Sequence, residues 1–242
     1  FVLVAIGLYV RLKLTEAPIF IAALNKPKPK ALPMMEVIVT HFKPFFLGML
    51  ICIAGYVLFY IMIAFSQIYA KSAPTVSEAG YAMGLGFSPQ IFTALLMCSA
   101  ISLAITIAIS GKYIDIVGRR IWLIWTTVGV ALFGLVLPYF LENGTTLSLF
   151  WFLIIGMGLI GMGYGPLASF LPELFPTHAR YSGASLTYNI SGLFGASVAA
   201  IIALPLNANY GLKGVGIYLT LNAVLSLIGL WFITETRDRQ LL

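Results

Sequence analysis

The sequence predicts an all-α integral membrane fold with six complete transmembrane helices and the end of a preceding one, and three observations carry that prediction. Of 242 residues, 60% are hydrophobic and only 9% are charged, against roughly 25% charged in a typical soluble domain. The apolar residues gather in runs of about 20, the length an α-helix rising about 1.5 Å per residue needs to cross a hydrocarbon core of about 30 Å. Six such runs contain no Asp, Glu, Lys or Arg: residues 44–66, 89–110, 121–141, 148–170, 181–203 and 215–234.

In chain order, FVLVAIGLYV at 1–10 reaches only about 15 Å before Arg11 stops it, half of what a span requires. It reads as the end of a further helix whose beginning lies outside this sequence, and not as a signal peptide. Residues 11–43 include NKPKPKALP, whose prolines and lysines cannot build a packed core, and they read as a cytoplasmic linker. Residues 44–234 then form a six-helix bundle with short connectors, the longest about 22 residues at 67–88. Residues 235–242 form a tail.

The net charge of +6 points to topology and not to nucleic acid. Arg11, Lys13, Lys26, Lys28, Lys30, Lys43, Lys112, Arg119, Arg120, Arg180, Arg237 and Arg239 fall on one side of six alternating spans, and only Lys71 and Lys213 on the other. That asymmetry predicts a cytoplasmic linker, 111–120 connector and C-terminus, with anionic lipid headgroups as a possible contact.

No catalytic residue, cofactor or metal site is expected. Cys52 and Cys98 lie inside spans without a CxxC or Cys/His cluster, so neither a disulfide nor a metal site is indicated. His41 and His178 lie near span ends, far apart in sequence, and read as ordinary surface histidines. The glycine-rich GMGLIGMGYGP at 156–166 lies inside an apolar span with no P-loop lysine after it, so it reads as a packing and bending segment. With no nucleophile, metal cluster or paired carboxylate at membrane depth, the chain does not read as an enzyme.

Polar groups at mid-membrane depth are the cavity candidates, because hydrocarbon penalises them unless they are paired. Asn189 lies about 12 Å into its span and Asn222 about 11 Å into the last one. Ser185, Asn189, Gly192 and Ala196 recur at helical spacing, as do Gly48, Cys52, Tyr56 and Tyr60, so each set forms a row on one helix face. Each row either lines a pathway or serves interhelical packing. All eight acidic residues, Glu16, Glu36, Glu78, Asp115, Glu142, Glu173, Glu235 and Asp238, lie at connectors or span ends.

The connector GKYIDIVGRR at 111–120 concentrates charge in ten positions. Gly111 and Gly118 permit a sharp turn and close packing, Asp115 can accept hydrogen bonds from a helix N-terminus or pair with an arginine, and Arg119 and Arg120 anchor the next span. Its pattern G-x-x-x-D-x-x-G-R-R resembles the signature loop of the major facilitator superfamily. The stretch YGPLASFLPELFPTHARYSGASLTYNISGLFG at 164–195 resembles the join of the tenth and eleventh helices in the metabolite:proton symporters, which include proline/betaine, α-ketoglutarate and shikimate carriers. RLKLTEAPIF at 11–20 resembles the stretch after the sixth helix of that family. His178 stands where the family often has arginine.

The resemblance implies that the six spans are helices seven to twelve, the C-terminal half of the fold, with 1–10 the end of helix six and the N-terminal six-helix half absent. It implies a secondary active transporter of the cell inner membrane, taking up a small polar metabolite such as an organic acid or a betaine/proline-like zwitterion by alternating access with proton symport. A sugar-porter-like facilitator and a non-transport scaffold subunit are the alternatives. By the same resemblance Gly111, Asp115, Gly118, Arg119 and Arg120 hold a cytoplasmic gate, with Glu173 and Arg180 as partners across that face. The implied partners are the metabolite, protons, the bilayer and the other six-helix half, which would then carry the proton-coupling group.

Overall fold

The computed structural model describes residues 2–13 and 33–235. Most of the predicted linker, including NKPKPKAL, and the tail beyond Glu235 lie outside the described residues. Helix α1 spans Val2–Lys13 and α2 spans Pro33–Thr40. The bundle follows as α3 (Phe42–Lys71), α4 (Pro89–Val117), α5 (Arg119–Glu142), α6 (Thr146–Glu173), α7 (180–210) and α8 (212–232). All six predicted spans are present, and among the described residues extended pairing is limited to one bridge between Val76 and Ala82.

Residues 180–232 are helical over 53 residues with no intervening loop. At about 1.5 Å per residue that would be about 80 Å of helix, far beyond any bilayer. Gly211 interrupts it with φ 67° and ψ −171°, a conformation essentially confined to glycine. A Cβ placed on Gly214 would stand 3.2 Å from the Leu206 carbonyl oxygen, whereas residues eight apart on a straight helix are about 12 Å apart. The chain therefore folds back at Gly211, and α7 and α8 are two antiparallel spans.

Two other boundaries move outward from the apolar runs. Helix α4 continues to Val117, so residues 111–117 of the charged connector are helical. Gly111 lies inside this extension with open space where its side chain would be, which corrects the expected sharp turn there. A lone helical glycine costs only about 1 kcal/mol, and the residues around it, Lys112 and Asp115, are solvated without breaking the ladder. Gly118 alone turns the chain, with φ 100° and ψ 142°. Helix α3 likewise runs on to Lys71, leaving 72–88 as the connector. Ser88 caps α4 by accepting the Ile91 N–H, followed by Pro89 at the first helical position, and Thr145 caps α6 by accepting the Ser148 N–H. Both satisfy otherwise orphaned donors.

Small residues set how closely the spans approach, as expected where lipid provides no hydrophobic drive between helices. Helices α4 and α6 cross where a Cβ on Gly161 would fall 2.6 Å from the Leu103 carbonyl oxygen, and the Ser102 hydroxyl donates to the Ile154 carbonyl at 3.0 Å. Between α5 and α8, Thr220 donates across to the Ala131 carbonyl at 3.0 Å. Ser226 of α8 enters the hydrogen-bond ladder of α3 itself. Its hydroxyl donates to the Leu50 carbonyl at 2.6 Å and accepts the Ala54 N–H at 3.1 Å, standing between two groups that would otherwise bond each other. Short π-helical turns interrupt α3 at Ile61–Phe65 and α7 at Leu193–Ser197.

The interior has two apolar clusters. One, around Phe65, Phe92, Phe133, Phe152 and Leu219, fills the end near the 72–88 connector. The other, around Val37, Phe45, Phe170, Phe175 and Leu230, fills the end near Gly118 and brings α2 onto the bundle.

Candidate functional site

Where the two clusters meet, α3, α5, α6 and α7 line a partly open cavity of about 260 Å³. Its polar walls are Cys52, Tyr56, Thr126, Thr127, Tyr164 and Tyr188, and no charged side chain lines it. The two threonine hydroxyls are turned back to their own helix, on the Trp122 and Leu123 carbonyls at 3.0 and 2.7 Å. The tyrosines form one connected group. Tyr188 donates to the Tyr164 hydroxyl at 2.8 Å, and the Tyr56 and Tyr188 rings lie 5.0 Å apart between centroids. Glycine makes the room for them: a Cβ on Gly195 would lie 2.6 Å from Tyr56 Cβ, and one on Gly192 would lie 3.1 Å from Tyr56 Cζ. Clustered phenols offer hydroxyls for hydrogen bonding and ring faces that attract cationic ammonium groups.

At the Gly118 end, charge links three helices. The Arg119 guanidinium pairs with the Glu173 carboxylate at the end of α6, and both side chains are largely buried, 17% and 13% exposed. Asp115, one turn before Arg119 and 73% exposed, sits 3.7 Å from it. The Glu235 carboxylate accepts the Arg119 and Arg120 backbone N–H groups at 3.2 and 3.0 Å, so it caps the N-terminus of α5 from beyond α8. Arg120 reaches the other way, donating to the Leu230 and Trp231 carbonyls at 2.8 and 3.0 Å. Each helix end thus receives from its neighbour the charge its own exposed backbone groups favour. Gly118 is needed here for space as well as for backbone angle, because a Cβ would stand 3.0 Å from the Glu235 carboxylate.

The structure brings some of the sequence candidates together and separates others. Arg119, Arg120, Asp115, Gly118 and Glu173 share one site, while Gly111 faces open space. Arg180 does not join Glu173; its Nε is buried without a hydrogen-bond partner among the described residues. Tyr56 lines the cavity. Tyr60 instead bonds the Ala200 carbonyl of α7 at 3.4 Å. Asn189 is exposed and folds back onto the Ser185 carbonyl at 2.8 Å, and Asn222 folds back onto the Tyr218 carbonyl at 2.8 Å. The stripe of α7 that packs inward is Gly183, Thr187, Ser191 and Gly195, not the Ser185–Asn189 row. Sequence reasoning passed over Tyr164, Tyr188 and Glu235. Tyr188 adjoins the chosen Asn189, and one residue on a helix is a rotation of about 100°.

The two histidines, widely separated in sequence, meet in space. His178 Nε2 lies 2.7 Å from Glu36 Oε1, and the His41 and His178 rings are 6.4 Å apart between centroids.

Comparison with known proteins agrees with this architecture. The family profile described as "Sugar (and other) transporter" matches residues 82–242. A Haemophilus influenzae protein named for metabolite transport is 90% identical over 240 residues, which are 99% of this chain and 54% of that protein. The Escherichia coli inner membrane metabolite transport protein YhjE is 39% identical over 99% of this chain and 53% of its own length. The glycine betaine/proline/ectoine/pipecolic acid transporter OusA of Dickeya dadantii is 27% identical over 98% of this chain and 47% of its own. The chain thus spans about half the length of the relatives it matches. No solved structure gives a significant match. With six packed spans, the G-x-x-x-D-x-x-G-R-R connector and a profile match over two thirds of its length, the chain belongs to the sugar (and other) transporter family of the major facilitator superfamily.

Proposed function

We propose that the chain forms the C-terminal six-helix half of a secondary active transporter that carries a small polar metabolite across a bacterial inner membrane by alternating access. The observation that carries this reading is the tyrosine-lined cavity formed by four spans, next to an end of the bundle held by charge. A cavity within the bilayer provides a place for a polar solute, and a cluster of exchangeable ion pairs provides an end with two discrete states. The distribution of Lys and Arg supports placing the Gly118 end in the cytoplasm, where Arg119, Arg120, Asp115 and Glu173 act as the gate.

The cavity walls favour one class of solute. With no fixed charge among them, they suit a net-neutral zwitterion better than a dicarboxylate, and the three tyrosines can face an ammonium or methylated ammonium group. Relatives named for proline and betaine transport point the same way. Proton coupling ordinarily needs an ionisable group in the pathway. No acidic side chain lines this cavity, so the coupling carboxylate is assigned to the other half.

The test is uptake of labelled proline, glycine betaine, α-ketoglutarate and glucose by vesicles containing the full-length protein, with and without an imposed pH gradient. Gradient-driven uptake of a zwitterion is expected. Uptake indifferent to the gradient removes the symport claim, and glucose uptake alone replaces this reading with a sugar facilitator.

A further inference from the structure

We propose that Glu36, His41 and His178 form a binding site for a divalent first-row transition cation, with Zn²⁺ as its probe. The inference is independent of the transport reading. Three separate segments supply the ligands: Glu36 from α2, His41 from the bend between α2 and α3, and His178 from the turn between α6 and α7. One ligand atom from each lies within 4.8 Å of the other two. Two imidazoles and one carboxylate, with a fourth position left for water, are a donor set that Zn²⁺ takes with bonds of about 2.0–2.1 Å. Tetrahedral angles at those bond lengths put ligand atoms about 3.3 Å apart, so separations of at most 4.8 Å need to change by only about 1.5 Å or less to close on an ion.

Two details separate this cluster from a chance meeting of surface residues. Glu36 Oε1 is engaged by His178, but Glu36 Oε2 is buried with no hydrogen-bond partner among the described residues. A buried carboxylate oxygen left unpaired is costly and calls for a partner. His41 precedes the first residue of α3 yet makes no side-chain capping bond to it, so that ring is not committed to ending the helix. Neighbouring Val37 is fully buried and fixes the face of α2 that carries Glu36. The carboxylate is thereby held against the α6–α7 turn. Zn²⁺, Cu²⁺ and Ni²⁺ suit imidazole-rich sets, whereas Mg²⁺ and Ca²⁺ require all-oxygen shells. Lys43 and Arg180 lie two residues from His41 and His178 in sequence, and their positive charges oppose a cation. An ion held here would join the segment leading into α3 to the turn that follows Glu173.

The test uses the untagged full-length protein, stripped of metal and titrated with Zn²⁺ by calorimetry. One ion per chain is expected, with affinity lowered about tenfold or more by His41→Ala, by His178→Ala and by Glu36→Gln. Lys43→Ala, which removes a neighbouring charge but no ligand, keeps the site. Co²⁺ in place of Zn²⁺ gives the intense visible bands of four-coordinate cobalt, absent from the His41→Ala/His178→Ala double variant. Failure to bind Zn²⁺, binding unchanged in the double variant, or a loss in Lys43→Ala as large as in the histidine variants overturns the proposal. Thermal unfolding with and without Zn²⁺ gives a second measurement on each folded variant: Zn²⁺ raises the midpoint of the parent and not of Glu36→Gln, and an equal rise in both overturns it.

Discussion

At the Gly118 end of the bundle, α5, α6 and α8 are joined by Arg119, Glu173, Arg120 and Glu235, and the Arg119–Asp115 and Arg119–Glu173 ion pairs lie at that end. At the opposite end the joints are backbone and ring contacts. The 72–88 connector returns over the end of α3 through Leu85 N–H to the Tyr69 carbonyl at 3.1 Å and Phe87 N–H to the Ala70 carbonyl at 2.8 Å. Asn207, fully buried in α7, donates to the Ala82 carbonyl at 3.1 Å, and the Tyr81 ring covers Gly211. Backbone joints have one partner and little reason to exchange it. Charged side chains at helix ends can be taken over by another carboxylate or arginine at modest cost, so the transport reading proposed above assigns switching to the Gly118 end and anchoring to the other.

Four substitutions break or sharpen that contrast. Gly211→Ala has the largest expected effect on stability: it forces a side chain into a glycine-only conformation and sets a Cβ 2.6 Å from Tyr81 Cδ1. Backbone strain and overpacking together should cost about 3 kcal/mol, read as a loss in detergent-driven unfolding free energy. Glu173→Gln leaves the largely buried Arg119 with only the exposed Asp115 as counter-charge and should cost about 2 kcal/mol, discounted from a fully buried pair because both groups keep some solvent contact. The double variant Arg119→Met/Glu173→Leu should recover most of that loss; if it does not, the pair is a stabilising anchor and the contrast between the ends weakens. Glu235→Ala removes the cap on two N–H groups of α5 and should cost about 1 kcal/mol, seen as faster amide exchange at Arg119 and Arg120. Asp115→Asn should change stability by about 0.5 kcal/mol or less, as for an exposed ion pair. If Asp115→Asn also leaves uptake and cytoplasmic accessibility unchanged, the gating role proposed for Asp115 fails.

The spans themselves were legible because a bilayer imposes length and excludes charge, and both constraints are written in the sequence as uncharged runs. The boundary at Gly211 was legible as a gap between apolar runs even though the two helices abut there with no loop between them. The extension of α4 to Val117 was not, since an apolar window ends where hydrocarbon ends while a helix ends only at a breaker. The cavity was the hardest to read. In a span, both the lipid-facing side and the packed side are apolar, so the pattern that marks a buried face in soluble helices is absent. Tyr188 and Asn189 were therefore indistinguishable by direction, and polarity favoured the one that points outward. The partner of Glu173 depended on which helix end comes to it, and Arg119 is 54 residues away, a separation no local motif encodes. Glu36 and His178 are 142 apart, with the same result.

The hydroxyl of Ser226 gives the bundle a chronology. It stands between the Leu50 carbonyl and the Ala54 N–H of α3, 176 and 172 positions upstream of it, so at about 5–20 residues per second the first span of the bundle waits roughly 10–35 s for the last one to be synthesised. During that interval Ser226 is not there to divide them, and the Leu50 carbonyl and Ala54 N–H are placed for the ordinary i to i+4 bond of a helix. Arrival of α8 exchanges that local bond for a shared one, and the final shape of the earliest helix is set by the last.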